Sequence, residues 1–266
     1  MHAIADQIAA LWRMRILVWV MTKREVASRH AGTALGVFWP YAQPLLTVAA
    51  YYLVFDVVFA MRLGEQAPTR AVGAFLIVGA LPWMAFCDGL SRGMNSLIEA
   101  GSVLQKNPLP PVIFPVRAVL ASAIIFGPLI VLVALLYTPL HQFKPPIIAL
   151  PALLLAQIAM VTIMGYLLAI LAAALRDTVQ IVGFMLSVGI YLSPVLFPVS
   201  MFPEAWRWVL WANPMTAPIM GYQAILLQGA WPAVDVWLAL ASWTALAFAA
   251  LCVVARRSQD QLLDWL

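Results

Sequence analysis

Ile147 to Leu175 reads IIALPALLLAQIAMVTIMGYLLAILAAAL, 29 residues without one charged side chain. An α-helix rises about 1.5 Å per residue and the hydrocarbon layer of a bilayer is about 30 Å thick, so roughly 20 such residues cross it. The rest of the chain has the same character: of 266 residues, 64% are hydrophobic and 10% charged. A soluble domain carries roughly a quarter charged residues. The expected fold class is an all-α integral membrane protein. No stretch is polar enough for a second, soluble domain, so residues 1–266 read as one transmembrane domain.

Outward from that run, five others have spanning length: 35–61, 72–94, 112–138, 179–198 and 234–255, which makes 147–175 the fourth of six. Six spans put both termini on one side. That side carries Arg13, Arg15, Lys23, Arg24, Arg29, Lys106, Arg176, Arg256 and Arg257, with Arg92 and Arg117 just inside the adjoining spans. The other side carries Arg62, Arg70, Lys144 and Arg207. Eleven basic residues against four place both termini in the cytoplasm. The formal charge of +4 therefore reads as topology and contact with anionic membrane lipid, not nucleic-acid binding.

Residues 5–29 look helical but are too charged to cross. Trp12, Trp19 and five basic residues suit the cytoplasmic leaflet, so an interfacial helix is expected. Its charges spread around the circumference, which points to a partner as well as to lipid. The first apolar run, Ile16 to Met21, is shorter than the roughly 7–15 residues of a signal-peptide core, and no cleavable signal is expected.

Catalytic chemistry is thinly represented. Cys87 and Cys252 lie in apolar runs and suggest neither a disulfide framework nor a metal site. His2 and His30 fall at the cytoplasmic end and His141 in an external loop, so none is expected to pair with a serine or a metal inside the bundle. No Gly-x-Ser-x-Gly, His-Glu-x-x-His or Gly-Lys-Ser/Thr motif occurs. The expectation is a non-enzyme with no catalytic residue, metal or cofactor of its own; if nucleotide powers it, another chain binds that nucleotide. Ionisable groups at bilayer depth are costly and therefore informative. Asp88 and Arg92 lie four apart in the second span with the acid nearer the N-terminus, the order that favours an ion pair. A structural pair is weighed there against a proton or substrate relay. Asp56 and Glu65 read as a wetted outer rim.

A set of short motifs runs through the chain in order: KREVASRHAGTALGVFWPYAQPLL from Lys23, LPWMAFCDGLSRGMNSLIEAGSVLQKNPLPPVIFP from Leu81, LRD at 175–177, SPVLFP at 193–198 and NPM at 213–215, then Tyr222 and Leu226–Leu227. In order and spacing the chain resembles the membrane subunits of type-2 ABC exporters that move bacterial polysaccharides, namely O-antigen, capsule and teichoic-acid permeases. The resemblance implies a homodimer in the bacterial cytoplasmic membrane, working with two copies of a separate ATPase that carries the ATP and magnesium. It makes 99–111 the cytoplasmic coupling loop, with Glu99 and Lys106 as candidate contacts to the ATPase. Read physically, Gly32 and Gly36 form a small-xxx-small pair. Pro40 and Pro44 free carbonyls in the first span. Asp177 with Gln180 has the form of a capping box.

A hydrated sugar polymer needs aromatic platforms and scattered hydrogen bonds along its path. Two helical faces offer them. Tyr41, Tyr52, Phe55 and Phe59 fall within about 60° of arc in the first span, as do Gln180, Phe184, Ser187 and Tyr191 in the fifth. Plain helix packing is the alternative for both. Between spans five and six, residues 203–229 form two short apolar pieces hinged at Asn213–Pro214, where proline bars a continuous helix. They read as a re-entrant external hairpin anchored by Trp206, Trp208, Trp211 and Trp231, and the resemblance puts a gate there. The functional expectation is ATP-driven export of a lipid-linked polysaccharide. The alternatives are a drug or lipid permease of the same fold, a membrane enzyme acting on lipid-linked sugars, and a proton-coupled carrier resting on Asp56 and Asp88.

Overall fold

A computed structural model describes residues 2–29, 32–33, 36–65, 67–107, 109–258 and 261–265. His30, Leu35 at the start of the first expected span, Pro108 of the coupling loop and the side chain of His2 lie outside the described residues. Two helices, α1 (His2–Arg13) and α2 (Arg15–Ser28), precede α3 (Trp39–Tyr51), which continues as a π-helix over Tyr52–Val58. Next come α4 (Val72–Glu99), α5 (Gly101–Lys106), α6 (Ile113–Leu136), α7 (Thr138–His141) and α8 (Ala149–Ala174). The remainder is α9 (Asp177–Gly189), α10 (Arg207–Trp211), α11 (Thr216–Gln223), α12 (Val234–Ser258) and α13 (Leu262–Trp265).

Among the described residues, five helices are long and apolar enough to cross a membrane: Trp39–Val58, Val72–Glu99, Ile113–Leu136, Pro145–Ala174 and Val234–Ser258. The protein is an all-α integral membrane protein. The run at 179–198 is helical only as far as Leu192, within a shorter apolar helix, Asp177–Leu192. Pro194 ends it: a residue before proline is driven out of the helical region, and Ser193 is extended at φ −143° and ψ 154°.

The first half of α4, Val72 to Trp83, is apolar and buried around its whole circumference, so the helix sits in the middle and packs mainly on α6 and α8. Small residues bring the backbones together. A Cβ added to Gly93 would stand 3.2 Å from the Cα of Gly165 on α8, closer than two helices bearing larger side chains could approach. By contrast α3 and α9 lie at the edge. In α3 only Pro40 and Pro44 are buried, and in α9 no residue is.

Several local expectations are corrected. The N-terminal segment is two helices meeting at Met14, and α2 packs on α6 instead of simply lying on lipid. Its packed face, Val18, Thr22, Glu25 and Arg29, recurs at helical spacing. Two of the charges that spoiled its amphipathic pattern, Glu25 and Arg29, belong to that face and find partners inside the bundle. Gly32 and Gly36 make no close helix contact: nothing lies within 4 Å of an added Cβ, and both take left-handed backbone angles (φ +85° and +47°) that glycine allows. The Asp177–Gln180 box does not form. Asp177 is already inside α9, no side chain caps the helix start, and so its carboxylate is not in the N-cap position. Asp56 is no wetted rim. Its Oδ1 accepts the N–H of Gly73 at 3.0 Å, so a carboxylate from the first span caps the first turn of α4. Glu65 does stay exposed and pairs with Arg70 at 2.9 Å.

Candidate functional site

At one end of the bundle, α2, α4 and α6 bring four polar side chains together. Arg92 Nε donates to Asp88 Oδ1 at 2.8 Å, the spacing of neighbours one turn apart. The other carboxylate oxygen is taken by a residue 59 positions away: Arg29 Nη1 donates to Asp88 Oδ2 at 2.8 Å. Arg29 Nη2 donates to Ser122 Oγ at 3.1 Å, and that hydroxyl in turn donates to Asp88 Oδ2. The Arg29 side chain is only 3% exposed, whereas that of Arg92 is 40% exposed. One turn before Arg29, Glu25 pairs with Arg117 of α6 at 3.8 Å. The N-terminal helix is thus fastened to the bundle by two ion pairs. The helical spacing of Asp88 and Arg92 pointed to their pairing; Arg29 and Ser122 carried no local signal, because the contact is set by how α2 packs on α6.

The expected face of the first span separates. Tyr41 is half-buried and its hydroxyl donates to the Ile124 carbonyl at 3.5 Å, while Tyr52 and Phe59 are exposed. Phe55, between them, lies 6.4 Å from the Tyr51 ring and 6.3 Å from Phe59. From Tyr52 the span continues as a π-helix, with the Phe59 N–H donating to the Val54 carbonyl. An i→i+5 turn takes more residues than an α-turn, so positions after Tyr52 rotate off an arc drawn at α-helical pitch. In α9 the face is continuous: Gln180, Phe184, Ser187 and, just beyond the helix, Tyr191 are all exposed. Phe184 is 70% and Tyr191 64% exposed, and among the described residues no element of the same chain covers them. The Ser187 hydroxyl turns back to the Gly183 carbonyl at 2.9 Å.

After Pro198 come α10, a turn at 212–215, and α11 with its π-helical extension Ala224–Gln228, which is buried in the core. Met215, Ile219, Tyr222 and Ile225 are fully buried. Asn213 staples the turn to the end of α9, its Nδ2 donating to the Gly189 carbonyl at 2.8 Å and, at 3.3 Å, to that of Leu192. Its Oδ1 accepts the Met215 N–H at 3.0 Å. Pro214 lines an apolar cavity of about 430 Å³ between this turn, α4, α8 and α9, with Trp83 and Phe86 opposite. Trp206 and Trp208 are exposed, and the carbonyl of half-buried Trp211 accepts Trp243 Nε1 at 3.3 Å.

Two glutamines hold α11 in place. Tyr222 donates its hydroxyl to Gln157 Oε1 at 2.8 Å, Gln157 Nε2 donates to the Pro82 carbonyl at 2.9 Å, and Gln223 Nε2 donates to the Pro194 carbonyl at 2.7 Å. Gln157 is detectable in hindsight as the lone amide in the 29-residue run at 147–175. Tyr222→Phe is expected to lower stability by about 0.6 kcal/mol, the average for interhelical hydrogen bonds in membranes, and by no more than about 1.7 kcal/mol. Thermal unfolding in detergent reads this; an unshifted melting temperature would mean the hydroxyl contributes nothing.

At the tip beyond α4, α5 turns Gly101 and Leu104 inward and leaves Gln105 and Lys106 exposed. Glu99 is exposed at the end of α4. Leu262 of α13 joins Leu104 and Leu97 in a second apolar cluster, which places the C-terminal helix beside α5.

Comparison with known proteins adds the family. A sequence model of the ABC-2 type transporter family matches residues 16–227. An O-antigen export system permease protein RfbA from Myxococcus xanthus is 26% identical over 240 residues, covering 88% of this chain and 89% of that protein. A protein of the same name from Klebsiella pneumoniae is 26% identical over 218 residues, covering 80% and 81%. A second from Klebsiella pneumoniae is 25% identical over 217 residues, again covering 80% and 81%. The family match takes in α2, the ionic cluster, the aromatic faces and α11, and so this chain belongs to the ABC-2 type transporter family.

Proposed function

We propose that this chain is the permease half of an ATP-driven exporter that moves a lipid-linked polysaccharide, of O-antigen, capsule or teichoic-acid type, outward across a bacterial cytoplasmic membrane. The observation that carries the reading is the face of α9: a glutamine, a serine and two aromatic rings in line, exposed and uncovered within the chain. Such a face is poorly matched to lipid and well matched to a hydrated chain whose CH faces stack on rings. The relatives, which are O-antigen export permeases, supply the substrate class.

In this account two copies pair so that their α9 faces, with the exposed Tyr52 and Phe59 of the first span, enclose the path. Counting α9 as a crossing gives six spans with both termini cytoplasmic. The extended stretch that continues α9 outward is tolerable at membrane depth because Ser193, Pro194, Val195 and Pro198 are buried in protein. The hairpin at 203–229 is the external gate, with Asn213 and Pro214 as its hinge. Glu99, Lys106 and α5 meet a separate ATPase, which hydrolyses the ATP.

The test is export itself. Co-expressed with its ATPase in a strain lacking both genes, the permease should restore surface glycan. Restoration should vanish when the ATPase is made hydrolysis-dead. Glycan that stays cytoplasmic with both wild-type subunits present, while a lipid or drug is moved instead, would transfer the chain to the other branch of the same fold.

A further inference from the structure

Beside the ionic cluster a cavity of about 270 Å³ opens between α3 and α4. Arg29, Asp88, Arg92 and Gln43 give it polar walls, while Met84 and Phe126 among others give it an apolar end. The bonding within the cluster leaves something over. Asp88 spends both oxygens on Arg29, Ser122 and the Nε of Arg92. Among the described residues, neither Nη of Arg92 has a hydrogen-bond partner. Two guanidinium groups share one carboxylate, so the cavity carries one positive charge in excess. Of the nearest other acids, Glu25 is engaged with Arg117, and Glu99 lies two turns beyond Arg92 at the end of α4.

Depth narrows the choice of counter-ion. Arg92 stands twenty residues along α4 from Val72, about 30 Å at helical rise. That is the thickness of the hydrocarbon layer, so Arg92 falls at the inner headgroup level. From the other side, Pro40, Gln43 and Pro44 belong to the first turns of α3 and meet it at the same level. A fork of guanidinium donors at headgroup depth, with an apolar pocket toward the bilayer centre, suits an anion carried on a hydrocarbon chain.

We infer that this cavity seats the phosphate or diphosphate headgroup of a lipid anchored in the inner leaflet, with Arg92 as the anion-binding fork and Gln43 at the mouth. The inference deepens the export reading and rests on it only for the lipid's identity, the junction between carrier lipid and glycan.

The purified full-length permease is titrated, by native mass spectrometry in detergent, with three probes: a long-chain polyprenyl diphosphate, phosphatidylglycerol and sodium pyrophosphate. The polyprenyl diphosphate should bind tightest. Arg92→Gln should weaken it roughly tenfold or more, as expected for losing charged hydrogen bonds. Gln43→Trp, which blocks the mouth without touching the ion cluster, should do the same, and Arg207→Gln on the external hairpin should not. Unchanged binding in both cavity variants overturns the site, as does free pyrophosphate binding as tightly as the lipid. Phosphatidylglycerol binding as tightly as the diphosphate overturns the assignment to the carrier. If both variants bind normally yet lose export, the site fails and the export reading survives. If wild type binds the lipid but exports no glycan, the reverse holds.

Discussion

Asp88→Ala is expected to strip most of the folded permease from the membrane. The substitution leaves Arg29, 3% exposed, and Arg92 facing one another with no carboxylate between them. Removing one partner of a buried ion pair costs about 3–5 kcal/mol, because the remaining charge stays buried without compensation. Set against a typical total of about 5–15 kcal/mol, that is a large share. Asp88→Asn should be milder, since an amide oxygen still accepts one of the donors. Adding Arg29→Met to Asp88→Ala should restore part of the loss, because it removes the most buried of the stranded charges. The measurement is abundance of a fluorescent fusion together with its melting temperature in detergent. Wild-type abundance and melting in Asp88→Ala would show that the cluster carries no structural weight.

Gly183→Trp is expected to abolish export while leaving the protein folded. Gly183 lies on the flank of the α9 face, one turn from both Gln180 and Ser187, and nothing lies within 4 Å of a Cβ added there. Within one copy the indole therefore meets no obstacle, and glycine in a helix is itself destabilising by roughly 0.5–1 kcal/mol relative to alanine. If two copies enclose a path at this face, a large ring on each blocks it, and surface glycan should fall by about a hundredfold or more with abundance unchanged. The matched control is Leu155→Trp on α8, also exposed. Equal export in the two variants would put α9 against lipid and remove the argument for a path there.

Much of this architecture is legible in the chain because lipid imposes one strict rule: a spanning helix needs about 20 apolar residues, and few other segments have them. The Asp88–Arg92 bond follows from spacing alone, since neighbours one turn apart are adjacent whatever else the protein does. Contacts set by packing left no such trace. Arg29 meets Asp88 because α2 lies on α6, and a charge on the buried face of α2 resembled, in sequence, a charge with nowhere to go. The break at Ser193–Pro194 was readable, because proline restricts its predecessor, but the apolar run through Pro198 outweighed it. The π-helix at Tyr52–Val58 has no comparable signature, and it undoes any face drawn across it at 3.6 residues per turn. Asp56 was misread for a related reason: whether a carboxylate near a span end meets water or the N–H of Gly73 depends on a neighbouring helix.

The central claim is that the α9 face borders water, not lipid, in the assembled transporter. Thiol accessibility tests it most directly. With Cys87 and Cys252 replaced by alanine, a single cysteine is placed at Ser187, and in a matched protein at Leu155. Both are exposed positions of one copy. The assembled exporter, supplied with ATP in intact membranes, is treated with a membrane-impermeant thiol reagent. The account predicts modification at Ser187→Cys many times faster than at Leu155→Cys. Equally slow modification at the two positions would contradict it.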